Sequence, residues 1–64
     1  HVHDNHGTRD EHLWPGDGTI DWPAVAAALH ELATPPAVVL EIGYSLNDPV
    51  ATLPDRIQKS FGLL

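Results

Sequence analysis

Ala37-Val38-Val39-Leu40-Glu41-Ile42 is a short, almost continuously apolar run, bounded by Pro35-Pro36 upstream and by Gly43 downstream. That is the pattern of a strand covered on both faces in a parallel sheet. One charge interrupts it, at Glu41. A carboxylate in a buried strand is costly unless it is paired or bound to a cation, since ionised groups lose several kcal/mol or more on desolvation. Glu41 therefore calls for a partner. In a parallel sheet it lies near the C-terminal end of its strand, which is the end where such folds bind ligands.

The segment before this run reads as a helix. Asp21 is a good N-cap, Pro23 fits the first turn, and Trp22, Val25, Ala26, Leu29, Leu32 and Ala33 recur at helical spacing until Thr34-Pro35-Pro36 stops the pattern. Earlier still, residues 4–21 are rich in Asp, Asn, Gly and His and include the turn-forming Trp14-Pro15-Gly16-Asp17-Gly18, so they read as a long loop. His1-Val2-His3 is an alternating stub that sends both histidines to one face. Downstream, Tyr44-Ser45-Leu46-Asn47-Asp48-Pro49 is loop-like. A second amphipathic helix is predicted from about Leu53 to Phe61, with Thr52 as cap, Pro54 early, Leu53, Ile57 and Phe61 on one face, and Gly62 as the stop. The order strand, loop, helix, strand, loop, helix is a βαβα arrangement of the α/β class, and alone it leaves sheet edges uncovered.

Composition bounds the function. The chain has 64 residues, no cysteine and no methionine, and a formal net charge of −6. Without cysteine it has neither disulfides nor thiolate metal ligands. At about 60 residues a lone core is marginal, so a metal, a partner or very good packing is needed. A chain that starts at His1 and lacks methionine reads as a processed product or a piece of something longer. No run approaches the roughly 18 apolar residues of a membrane span, so a soluble, cytoplasmic chain with no membrane partner is expected. With only Arg9, Arg56 and Lys59 as cations, the acidic balance argues against a nucleic-acid partner.

Four of the five histidines fall in the first twelve residues, among Asp4, Arg9, Asp10 and Glu11. If the stub and the apolar run are neighbouring parallel strands about 4.8 Å apart, His3 and Glu41 sit at matching strand ends and converge on one divalent ion. Imidazole plus carboxylate suits Mn, Zn, Co or Fe(II), with Mg possible if further oxygen ligands are supplied. Asp10 and His12, two apart, offer a second ligand pair, and Arg9 can hold a hydroxyl or phosphate oxygen of a substrate. Taken singly, each of these residues is as well explained by a salt bridge or a solvated loop. It is their joint placement that points to a site. His6 and His30 read as surface residues, and Trp14 and Trp22 as packing residues.

The strings His1-Val2-His3-Asp4-Asn5, Gly7-Thr8-Arg9-Asp10-Glu11-His12-Leu13, Pro15-Gly16-Asp17-Gly18-Thr19-Ile20-Asp21-Trp22 and Val38-Val39-Leu40-Glu41-Ile42 resemble the last quarter of the xylose isomerase-like TIM-barrel superfamily, which holds sugar and sugar-phosphate isomerases and epimerases and endonuclease IV. The resemblance covers about two-thirds of the chain. It implies that residues 1–64 are the C-terminal part of one TIM-barrel domain, strands seven and eight with their helices, incomplete alone because such a barrel takes about 250 residues. It also implies a metal-dependent proton transfer on a sugar or sugar phosphate through an enediolate, with His3 and Glu41 as metal ligands and His1 as the alternative histidine. Glu41 would be one of two acid/base carboxylates and Arg9 the substrate contact. The remaining ligands would come from residues outside this sequence, so the chain is expected to be inactive alone, with the rest of the barrel or further copies as its partner. Asp10-Glu11-His12 is similar to the D-x-H that holds an additional zinc in endonuclease IV, which keeps a zinc phosphodiesterase as a second expectation. A non-catalytic, self-associating piece is the third.

Overall fold

The computed structural model describes residues 1–43 and 48–64. The loop expected at residues 44–47 lies outside them. Helix α1 runs Trp22–His30 and helix α2 runs Leu53–Gly62, preceded by one 3₁₀ turn at Val50–Thr52.

α1 starts where the sequence places it. Asp21 accepts a hydrogen bond from the Ala24 amide through its side chain at 3.1 Å, and Pro23 takes a first-turn position where no amide proton is needed. The helix ends at His30, short of Leu32 and Ala33, as the Leu32 amide tightens to the Leu29 carbonyl at 3.2 Å. α2 carries Asp55 in its first turn and Lys59 in its last, both favourable to the helix dipole. Thr52 is not its side-chain cap. The Thr52 hydroxyl turns back to the Pro49 carbonyl at 2.7 Å. Gly62 lies within the helix rather than stopping it in a left-handed conformation, and Leu63 is the capping residue.

The expected strands do not form. Among the described residues there is no sheet, only two isolated bridges, Val2 with Leu40 (parallel) and Asp4 with Leu13 (antiparallel). The Val2 amide donates to the Val39 carbonyl at 2.7 Å and the Glu41 amide to the Val2 carbonyl at 3.0 Å, which makes a single rung. The rung does not extend because two residues later the chain has changed partner: Asp4 exchanges two 2.8 Å hydrogen bonds with Leu13. Two short runs with no third strand fall below what a stable sheet requires. Val38–Leu40 is accordingly not sandwiched, and Val39 is about half exposed. The chain is therefore not the βαβα portion of a TIM barrel, and the α/β expectation is corrected to two helices on an irregular frame.

The molecule measures 38 × 28 × 16 Å, thin in one direction. Few of the described residues are buried: Asp4, Pro15, Trp22 and Ser60. Trp22 is the buried large hydrophobic side chain and lies beside the fully buried Asp4 carboxylate, while Ser60 is buried on α2, its hydroxyl donating to the Arg56 carbonyl at 2.8 Å. The Asp4 oxygens accept from the amides of Asn5 (2.8 Å), Gly16 (2.9 Å), Gly18 (3.0 Å) and Ile20 (3.2 Å) and from the Trp22 indole (2.8 Å). This one carboxylate gathers the 16–20 loop and the start of α1 around residue 4. Gly18 is required here, since a Cβ would lie 2.3 Å from both the Asn5 carbonyl and Asp4 Oδ1. α2 is tied to the same loop through Arg56, whose guanidinium donates to Asp17 at 2.7 Å, approaches Asp48 at 3.9 Å and lies 5.9 Å over the Trp14 ring.

Candidate functional site

His3 and His12 are brought together by the exchange between Asp4 and Leu13, because each histidine immediately precedes one of the paired residues. Their rings stack with centroids 3.8 Å apart and an interplanar angle of 17°. Asp10 approaches from the adjoining loop, and its Oδ1 is 2.9 Å from His12 Nε2. One ligand atom each from His3, Asp10 and His12 lies within 4.8 Å of the others. Ligands bound to one ion at about 2.1 Å sit no more than about 4.2 Å apart, so the three atoms are spread slightly wider than a shared cation would hold them, with Asp10 exposed and the two imidazoles half-buried.

His12 is the hinge of the arrangement. Its backbone is in the left-handed region at φ 52, which turns the ring back over His3. Its carbonyl accepts from the Gly43 amide at 2.9 Å, and its Nδ1 lies 2.9 Å from the Glu41 carbonyl oxygen. A carbonyl can only accept, so Nδ1 carries the proton. Nε2 then faces the Asp10 carboxylate, where it holds either a second proton or a cation. The Glu41 carbonyl, with the Asp10 carboxylate beside it, holds the His12 pKa above the ordinary imidazole value. An imidazole anchored through one nitrogen on a backbone carbonyl, with the other nitrogen aimed at a carboxylate, is oriented as metal-ligating histidines are. His3 adds a second sign of fit: its Nδ1 is buried with no hydrogen-bond partner among the described residues. Two imidazoles and a carboxylate form a donor set suited to Zn, Co, Mn or Fe(II).

The sequence expectation paired His3 with Glu41, and the geometry groups the residues differently. His3 joins Asp10 and His12, the two residues read as an additional pair. The Glu41 carboxylate contacts His1 Nδ1 and lies 3.6 Å from His12 Nδ1, so it borders the cluster on the side of His12 away from Asp10. Arg9 is exposed on the loop, and its charge acts on Glu11. Glu11 is not a free loop carboxylate: the His6 amide and ring both meet its Oε1 at 3.0 Å, and these hydrogen bonds hold its pKa below the usual carboxylate range. His30 is exposed, as expected, with Nε2 2.6 Å from the Leu64 main-chain oxygen.

Asp4 is the residue that sequence reasoning passed over, as one more polar loop position. The signal that can find it is the Gly16-Asp17-Gly18 turn followed by Trp22, a set of main-chain and indole donors that calls for an acceptor. Burial pushes the Asp4 carboxyl up, but the Trp22 indole and the amides of Gly16, Asn5 and Gly18 outweigh it and hold the pKa at about 2, against an ordinary 3.8. Beside the site, Glu11, His12, Leu13, Trp14, Asp17, Ile42, Gly43 and Asp48 line an open hollow of about 360 Å³.

No family model and no solved structure matches the chain. Among the described residues no helix is long and apolar enough to cross a membrane. The chain is similar to a protein of Sinorhizobium fredii (strain NBRC 101917 / NGR234) described as "Uncharacterized protein y4fM", with 52% identity over 29 residues. That match covers 45% of this chain and 9% of the relative, so the chain spans less than a tenth of that protein's length.

Proposed function

We propose that the chain contributes a divalent-cation site, built on His3, Asp10 and His12 with Glu41 at its edge, to a cytoplasmic metal-dependent isomerase or epimerase of sugars or sugar phosphates. The observation that carries the reading is the convergence of the three ligand atoms within 4.8 Å around the stacked imidazoles. The reaction type comes from the likeness of the His-Val-His-Asp-Asn and Pro-Gly-Asp-Gly-Thr-Ile-Asp-Trp strings to sugar isomerases and epimerases.

The chemistry a divalent ion supplies when bound is Lewis-acid polarisation of a sugar carbonyl. The chain's own residues do the rest of what this segment can do. The Glu41 carbonyl fixes the His12 ring and its protonated nitrogen, leaving Nε2 as the ligand atom. The Glu41 carboxylate, exposed and next to His1, would take or return a proton at a sugar carbon. Arg9, on the exposed loop, is available to a hydroxyl or phosphate oxygen of the substrate. The likeness assigns the second acid/base carboxylate to a residue outside this sequence, so the chain by itself is expected not to turn over substrate.

The test is titration of the 64-residue chain with Co(II), read by its visible absorption, together with a ketose isomerase assay in added Mn(II). Binding to the wild type that disappears in His3→Ala, Asp10→Ala and His12→Ala, without turnover by the chain alone, is the expected result. Failure of the wild type to bind, or turnover at an ordinary enzymatic rate, overturns the reading. The 2.9 Å contact between Asp10 and His12 supports a second reading, a zinc phosphodiesterase segment of the endonuclease IV type. The −6 charge weighs against a nucleic-acid substrate, and zinc retained after Asp10→Ala with His12→Ala eliminates it.

A further inference from the structure

We propose that Asp4 is a positioning residue for the His3–Asp10–His12 cluster, its buried carboxylate fixing the separation of the two imidazoles through the main chain. The inference rests on the cation reading above and adds to it the part of the molecule that sets the site's geometry.

Among the described residues, the Asp4 carboxylate hydrogen-bonds none of the candidate ligands. The carboxylate is fully buried and takes five donors on two oxygens: Asn5 and Ile20 on Oδ1, Gly16, Gly18 and the Trp22 indole on Oδ2. A carboxylate offers about four lone-pair directions, so this one is saturated and has little freedom to rotate or shift. The main chain of the same residue is paired in both directions with Leu13, at 2.8 Å each way. His3 precedes Asp4 and His12 precedes Leu13, so the two rings hang from the two sides of one clamped bridge, where they are diagonal neighbours across the pair. The Pro15–Trp22 stretch supplies four of the five donors, the amides of Gly16, Gly18 and Ile20 and the Trp22 indole, and no candidate metal ligand. Its tie to the site runs mainly through Asp4, with the Thr19 amide and hydroxyl donating to the neighbouring Asn5 carbonyl at 2.9 and 3.2 Å. The close approach at Gly18, where a Cβ would lie 2.3 Å from Asp4 Oδ1, shows how tightly the turn is drawn onto the carboxylate.

A residue that only stabilises the fold changes how much of the chain is folded. A positioning residue changes the ring separation and the cation affinity of the chain that is folded. The experiment compares wild type, Asp4→Asn, Trp22→Phe and Asp21→Ala as 64-residue chains, using far-UV circular dichroism for folding, nuclear Overhauser contacts between the His3 and His12 ring protons for the stack, and Co(II) titration for the site. Asp21→Ala removes the cap of α1 and leaves the Asp4 donors in place, so it is the control for a loss of stability alone. Expected are loss of the ring contacts and at least about tenfold weaker Co(II) binding in Asp4→Asn and Trp22→Phe at unchanged helix content, with both properties retained in Asp21→Ala. If Asp4→Asn does not fold, Trp22→Phe, which removes a single donor, decides. Ring contacts and Co(II) affinity that survive in folded Trp22→Phe overturn the proposal while leaving the cation reading intact. A stack that depends on Asp4 in a wild type that binds no Co(II) sustains the positioning role and overturns the cation reading instead.

Discussion

Residues 1–21 and helix α2 are opposites in how they are held. The first has no helix and no sheet, yet one buried carboxylate with five donors fixes it from residue 4 to Trp22. The second has ten residues of regular helix, but its apolar face is left open, with Ile57 43% and Phe61 45% exposed and Ser60 as its buried side chain. Regular backbone and anchorage are thus separate properties in this chain. The irregular region is anchored by hydrogen bonds converging on a buried carboxylate, whereas the regular one is joined to it by Arg56 at the surface.

The contrast breaks most readily at Gly18. Gly18→Ala forces backbone atoms apart around Asp4, and a loss of about 3 kcal/mol is expected in urea unfolding followed by Trp22 fluorescence. Acid strikes the same anchor more gently. The Asp4 pKa is depressed in the folded chain, so its stabilisation is complete above the ordinary value of 3.8 and is lost as pH falls toward about 2. About 2 kcal/mol disappears across that window, a loss that should be absent in Asp4→Asn. Asp21→Ala, at the junction between the loop and α1, removes one capping bond and is expected to cost about 1 kcal/mol by the same measurement. Phe61→Ser on the open face of α2 should change stability by less than about 0.5 kcal/mol. A loss of several kcal/mol at Phe61 would show that α2 is anchored by its apolar face after all, and the contrast would fall.

The features legible in the sequence are those fixed by neighbours in the chain. Asp21 and Pro23 marked the start of α1, and Leu53, Ile57 and Phe61 marked α2, because caps, proline and helical spacing act over a few residues. The same spacing gave no information on whether the α2 face is covered, which depends on distant parts of the chain. The apolar content of Val38-Val39-Leu40 suggested a strand, but a strand exists only with partners along its length, and Val2 provides one rung before Asp4 turns to Leu13. The candidate site shows the same division. His3, His12 and Asp10 were each visible as residue types, but their grouping depends on the long-range bridge and on the left-handed turn at His12, and neither is written in the spacing. For that reason Glu41, expected opposite His3, is found against His1 and His12.

The φ of 52 at His12 sets stability against chemistry at a single position. A side chain in that conformation costs on the order of 1 kcal/mol relative to glycine, so His12→Gly relaxes the backbone while deleting the imidazole between Glu41 and Asp10. An engineer ranking substitutions by folding free energy alone would choose that glycine first and lose the centre of the candidate site. Stabilisation of this chain is better sought elsewhere, on the exposed faces of α1 and α2, with residue 12 excluded from the search.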